Sequence, residues 1–183
     1  EPWAFLDIPT RRLKDHLALA RETTRGSIAA LGIDRVWVPA YEGGHQDHDS
    51  ANALASTVSD LVEVWEFAEY TYATGQVQTQ TFPAATGSEV TLNLSAAEMD
   101  AKRQALALYP SEKGNLSYVG TARECLRPQQ AHDYALPPHP GRCVYQRFQW
   151  VPFRHPRIDF TTPDQVSTVV SRVLRHVAIP LKG

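Results

Sequence analysis

The spacing of apolar residues predicts an amphipathic helix near the start of the chain. In RRLKDHLALARETTRGSIAALG, Leu13, Leu17, Ala20, Ile28 and Leu31 fall near a 3.6-residue period, and Gly32 is a natural stop. DRVWVPAY is short, β-branched and apolar, the pattern of a buried strand with Pro39 near its end. EGGHQDHDS then turns the chain. From Asp49 or Ser50, either a competent N-cap, residues Ala51, Leu54, Ala55, Val58, Leu61 and Val62 trace a second helical face. Helix, strand, glycine-rich loop and helix in that order predict a doubly wound β–α connection. In such folds ligands gather at the carboxyl ends of the strands.

The middle of the chain is more strand-like. EVWEFAEYTYA and QVQTQTFPA alternate in part on either side of Gly75, and EVTLNL follows. Ser95 and Glu98 form a capping box ahead of AAEMDAKRQALALY. LRPQQAHDYALPPHPGRC is polar and proline-rich and reads as a long surface loop, with VYQRFQWVPF as a further strand. Loop and strand together make an extension over 128–160. Thr162, Pro163 and Gln165 supply a cap, an N1 proline and a box acceptor for the closing helix DQVSTVVSRVLRHVAI.

Composition narrows the function classes. A chain of 183 residues is expected to form one domain, 1–183, with a real core. Its net charge of −2 provides no basic footprint, so neither nucleic acid nor an anionic membrane surface is an expected partner. No run approaches the ~18 apolar residues of a membrane span, and no signal-peptide pattern is visible, so a cytoplasmic location is expected. Cys125 and Cys143 have no metal-ligand spacing around them; a disulfide and a reduced pair both remain open.

The chemistry-bearing stretch is His45-Gln46-Asp47-His48, placed between the apolar strand and the second helix. Neutral imidazole is the commonest metal ligand near neutral pH, and a neighbouring carboxylate fixes its tautomer and raises its basicity. His48 stands where a helix begins, so its ring can turn back over the strand ends. Gly43 and Gly44 let the backbone bend there. The competing reading is local: Asp47 and Asp49 cap the helix, and the histidines are solvated. Elsewhere, His16 is expected mid-helix and His176 near a helix end, both on the surface. His132, Asp133 and His139 fall in the proline-rich loop. Trp3, Trp37, Trp65 and Trp150 are expected to pack, Glu63, Glu66 and Glu69 to form a solvated face, and Arg154, His155 and Arg157 a solvated loop.

EGGHQDHDSA resembles the second signature of the PIG-L / LmbE-like zinc-dependent N-deacetylases. The segment from FLDIPTRRLKDHLALARETTRGSIAALGIDRVWVPAYEGG is similar to the helix and strand that precede that signature. LNLSAAEMDAKRQALALYPSE is similar to a later helix of the family, and VWEFAEY and ARECLR also fit, so most of Asp7 to Arg127 is covered. The resemblance implies a Rossmann-like, mostly parallel sheet flanked by helices. It implies that His48 is a Zn2+ ligand and that His45 faces the substrate carbonyl, with Asp47 tuning the histidine pair. The implied activity is removal of an N-acetyl group from an amino sugar or its glycoside by metal-activated water.

One departure is large. Family members begin with a strand ending in His-Pro-Asp-Asp, which supplies two further zinc ligands and the general base, and this chain contains no such tetrapeptide. The expectation is therefore a fold lacking its N-terminal strands, with zinc bound weakly or not at all by the chain alone. Its open sheet edge would be covered by a homo-oligomer or by a missing N-terminal segment. The alternative function is a non-catalytic remnant of the same fold that serves as a binding or assembly module.

Overall fold

The computed structural model describes residues 5–110, 113–149, 153 and 158–177. A 3-10 turn at Leu13–Asp15 leads into α1 (Leu17–Leu31), whose C-cap Gly32 takes a left-handed conformation with φ 62°. His16 is the N-cap of α1 rather than a mid-helix residue, and it is exposed. Then come β1 (Arg35–Pro39), α2 (Gln46–Ser56), β2 (Glu63–Phe67), and a small hairpin of β3 (Tyr70–Thr71) with β4 (Gln78–Thr79). After them run β5 (Val90–Asn93), α3 (Ala96–Ala107), one helical turn α4 (Lys113–Leu116), β6 (Arg123–Pro128) and α5 (Pro163–Val177).

The main sheet has the order β1-β2-β6-β5. β1 and β2 run parallel with Trp37 opposite Trp65, while β2–β6 and β5–β6 are antiparallel. The protein is thus mixed α/β, with a mixed sheet flanked by helices. The expected mostly parallel sheet is corrected: only the β1–α2–β2 step is a parallel crossover. β6 follows α3 and α4 and runs against both its neighbours.

Alternation along the strands decides which side is covered. Val38, Val62 and Val64 face α2 and close a core with Ile28, Ala55 and Val58. A second core joins Leu17, Ala53, Val166 and Val170 from α1, α2 and α5 to Tyr41 and Tyr134. The opposite sheet face carries Trp37 and Trp65, stacked with ring centroids 5.8 Å apart. β1 was expected to be buried throughout, yet Trp37 is 48% exposed, because β1 is an edge strand with α2 on one face only.

The caps follow the sequence. Ser95 and Glu98 satisfy each other's backbone N–H in a full capping box. At α5, Thr162 N donates to Gln165 Oε1 at 2.9 Å and Gln165 N donates back to Thr162 Oγ1 at 3.3 Å.

The extension over 128–160 differs from expectation in three ways. Its start belongs to β6. The residues after Pro128 form the expected loop, but it is pinned to the interior at Tyr134 and Cys143, which are buried, and at His132, which pairs with Glu66. Val144–Phe148 is a 3-10 helix instead of a strand, tied by Val144 N to Gly43 O at 2.8 Å. Cys125 and Cys143 are both free and buried. Trp3, Trp150, Arg154, His155 and Arg157 lie outside the described residues. Among the described residues no helix is long and apolar enough to cross a membrane.

Candidate functional site at the carboxyl ends of the parallel strands

β1 and β2 end side by side, and the loop from Ala40 to His45 carries the chain from β1 into α2. Gly43 adopts φ +70°, and a Cβ there would stand 2.6 Å from Cys143 Sγ. At Gly44 a Cβ would stand 2.6 Å from the Tyr70 carbonyl oxygen, so the loop packs directly on the backbone that follows β2. The two glycines permit this close approach. Gly44→Ala should therefore displace Tyr70 and its neighbour Glu69, lowering stability by about 1–3 kcal/mol. Thermal unfolding of the variant checks this.

α2 begins earlier than Asp49 or Ser50 would have capped it. His45 is the N-cap, and its Nδ1 accepts the Asp47 N–H at 3.1 Å. A ring nitrogen that accepts a backbone N–H carries no proton, so neutral His45 bears its hydrogen on Nε2 and presents a donor. Burial, then the nearby His48, lowers its pKa and favours that neutral form.

His48 has the opposite arrangement. Its Nδ1 lies 2.7 Å from Glu69 Oε2, an ion-pair contact rather than an aligned hydrogen bond. Burial pushes the pKa of His48 down, but the contact with Glu69 and the fields of Asp49 and Glu42 outweigh it, and the net shift is upward. With Nδ1 turned to the carboxylate, Nε2 is the ring nitrogen that Glu69 does not engage. The two rings are 5.1 Å apart, both half-buried, and Tyr70 stands edge-on to His48 at 6.0 Å.

Both aspartates hold backbone groups away from the α2 cap. Asp47 accepts the backbone N–H groups of Arg11 and Leu13, the latter at 3.1 Å, and so ties the turn before α1 to the first turn of α2. Its Oδ2 is 3.9 Å from His45 Nδ1, while the carboxylate on His48 is Glu69. Asp49 is buried and accepts from Gly43 N at 3.0 Å and Glu42 N at 3.3 Å, folding the loop back on the helix. Gln46 is also buried, held between Lys14 Nζ at 2.7 Å and Asp159 Oδ2 at 2.7 Å.

Glu42 adds a second buried carboxyl. Its Oε1 accepts the N–H groups of Glu69 at 2.7 Å and Tyr70 at 3.0 Å, and its Oε2 has no hydrogen-bond partner. Burial raises its pKa to about 8, and burial likewise raises Asp49 to about 7. An acid whose folded pKa lies above its unfolded value loses stabilising protonation as pH rises. Through Glu42, stability should fall as pH climbs from about 4.5 to about 8. Glu42→Gln should keep both backbone contacts and flatten that slope. Glu42→Ala should leave two N–H groups unpaired and cost about 2–4 kcal/mol. Chemical denaturation across this pH range separates the two variants.

Neither Glu42 nor Tyr70 stands out in the sequence, and Glu69, expected on a solvated face, is instead half-buried against His48. Position carried the signal: FAEYTY follows β2 at its carboxyl end, where a parallel pair collects ligands. His139 sits against Gly43 with both ring nitrogens buried and unpartnered, and burial lowers its pKa. His132 pairs with Glu66 at 3.0 Å and belongs to the sheet interior, and His176 is exposed on α5.

As a metal centre the site is partial. His48 with Glu69 has the chemistry of an imidazole ligand and its orienting carboxylate. Among the described residues no three His, Cys, Asp or Glu side chains stand together as a group that could hold a metal ion. Compared with protein-family models, curated proteins and solved structures, the chain matches none of them. Fold and site thus define an α/β protein with two differently poised histidines over the ends of a parallel strand pair.

Proposed function

We propose that the chain carries the histidine half of a zinc-dependent amide hydrolase of the PIG-L / LmbE-like kind, acting on an N-acetylated amino sugar or its glycoside. In this reading the β1–α2–β2 crossover is a unit of a Rossmann-like sheet. The supporting observation is the pairing of opposite ring states: His48 with Nδ1 on Glu69, His45 with Nδ1 on a backbone N–H.

Each residue then has a defined task. His48 would hold the metal through Nε2, with Glu69 fixing the ring and its basicity. Bound zinc would supply an acidified water and polarise the amide carbonyl. His45 offers its Nε2 hydrogen to the carbonyl oxygen as negative charge develops there. Water adds to the carbonyl carbon, the carbon–nitrogen bond breaks, and the amine leaves with a proton, giving a carboxylate and a free amine. Asp47 anchors the turn from which both rings project. The reading requires two further ligands and a base beyond the residues gathered around His48.

Zinc content and amine release test it together. The protein in a form that includes a His-Pro-Asp-Asp segment should hold one zinc and release glucosamine from N-acetylglucosamine derivatives, and the 183-residue chain alone should do neither. Stoichiometric zinc on the chain alone would overturn the assignment of the missing ligands. A zinc-loaded long form inert toward every N-acyl amino sugar would overturn the activity.

A further inference from the structure

Beside the histidine pair lies a cavity of about 400 Å3, bounded by the sheet face opposite α2 and by α3. Trp37, Phe67 and Leu126 contribute from the strands, Leu106 from α3, and Val119 from the segment before β6. Glu69 and Tyr70 also line it, and they are the residues in contact with the His48 ring. The cavity therefore opens from the same backbone that positions the histidines.

Its charges are neutralised. Lys102 pairs with Glu124 across the wall, and Glu69 pairs with His48. No unbalanced charge remains among these four to select an ionic ligand, and the rest of the wall is mainly aromatic and aliphatic. A volume of this size suits a small-molecule moiety, and a two-carbon acetyl group would leave most of it unfilled.

We propose that this cavity seats alkyl acyl groups longer than acetyl on the same amino-sugar nitrogen, so that the site extends from N-acetyl to medium-length N-acyl amino sugars and binds the longer ones more tightly. The inference rests on the amide-hydrolase reading for the location of the carbonyl. The acyl chain is bonded to the very carbon that His45 and His48 would flank, and Glu69 and Tyr70, which contact the His48 ring, also line the cavity. The sugar is polar and gains nothing from such walls, and an aglycone is held away from the amide by the whole sugar ring. The acyl side is the side that reaches.

Binding, measured without turnover, tests this. The full chain is titrated with N-acetyl-, N-butyryl-, N-hexanoyl- and N-octanoylglucosamine by calorimetry and by tryptophan emission, since Trp37 lies in the wall. Affinity should climb with chain length, by up to about fourfold per buried methylene, with a blue shift of emission. Leu106→Trp, which pushes an indole in from α3, should flatten the series by cancelling the gain from each added methylene. If that variant does not fold, the wild-type series alone decides. A flat series, or no binding by any member, overturns the proposal. An equal gain from octyl N-acetylglucosaminide, whose chain is on the sugar side, overturns the acyl assignment. Failure of the hydrolase reading is distinct: chain length would still set affinity while no member releases amine from the zinc-loaded protein.

Discussion

His48→Ala should strip zinc from the loaded protein, whereas His45→Ala should leave zinc in place and cut turnover by about 10²–10³-fold. The separation follows from the two ring states. On the proposed reading His48 turns Nδ1 to Glu69 and would hold the metal through Nε2, so its loss would remove a ligand outright. That should exceed the roughly 10–100-fold weakening expected when an orienting partner is removed, the effect assigned to Glu69→Gln. His45 spends its Nδ1 as acceptor for the Asp47 N–H, and its remaining hydrogen points away from that bond. Its loss should therefore be felt on the rate of carbonyl attack and not on metal content. Elemental analysis with amine-release kinetics on both variants checks this. Equal zinc loss from both would sink the division of roles.

Local features of the fold were legible in the sequence because their physics is local. Gly32 as a left-handed cap, the Ser95–Glu98 box and the Thr162–Gln165 box each act within four residues, and the structure realises all three. The turn at Gly75 between two short strands is local too. What failed to show was set by distant partners. Asp49 looks like an N-cap, but the loop N–H groups of Glu42 and Gly43 claim its carboxylate, and His45 takes the cap. Val144–Phe148 lies in an apolar, aromatic run that suggests a strand, yet Gly43 holds its first residue and it pairs with no strand among the described residues. The histidine cluster was visible by residue type and placement. Its carboxylate partner Glu69 was hidden, because only the parallel pairing of β1 with β2 brings that residue beside α2.

The triplet Glu63, Glu66 and Glu69 shows the same limit and leads to the largest stability effect. A spacing of three suits a solvated face, but the sides of a strand alternate, so the three carboxylates do not share one. Glu63 is outside, bonded to Arg35 at 2.8 Å, while Glu66 falls among Val62, Val64 and Ala68 and has no exposed surface. A carboxylate in that company needs an opposite charge, and Arg127 stands directly across the β2–β6 ladder. Arg127 Nε donates to Glu66 Oε1 at 2.7 Å, and its guanidinium lies 3.8 Å over the Phe82 ring. On Oε2, Asn52 Nδ2 donates at 2.8 Å and His132 Nε2 sits at 3.0 Å. Asn52 also donates to Pro39 O at 2.9 Å. The network thus clamps α2 to the end of β1, which fixes the position of His45 and His48 over the strand tips.

Breaking the pair from one side should be severe. Arg127→Met leaves Glu66 buried without its cation and should destabilise by about 3–5 kcal/mol, with Glu66→Gln milder because Asn52 and the other acceptors of Arg127 persist. The double variant should recover part of the loss, and a double-mutant cycle in urea measures the coupling. Acid supplies an independent check. Burial raises the Glu66 pKa, but His132, Asn52 and Arg127 together outweigh it and hold the carboxyl below its ordinary value. For an acid shifted downward, the stabilisation is complete above about pH 4.5 and drains away as pH falls through the lower folded value. Wild-type protein should therefore lose stability steeply below that point, and Glu66→Gln should lose less over the same interval. Parallel acid titrations of the two would refute the clamp, and with it the account of how the fold holds its histidines in register.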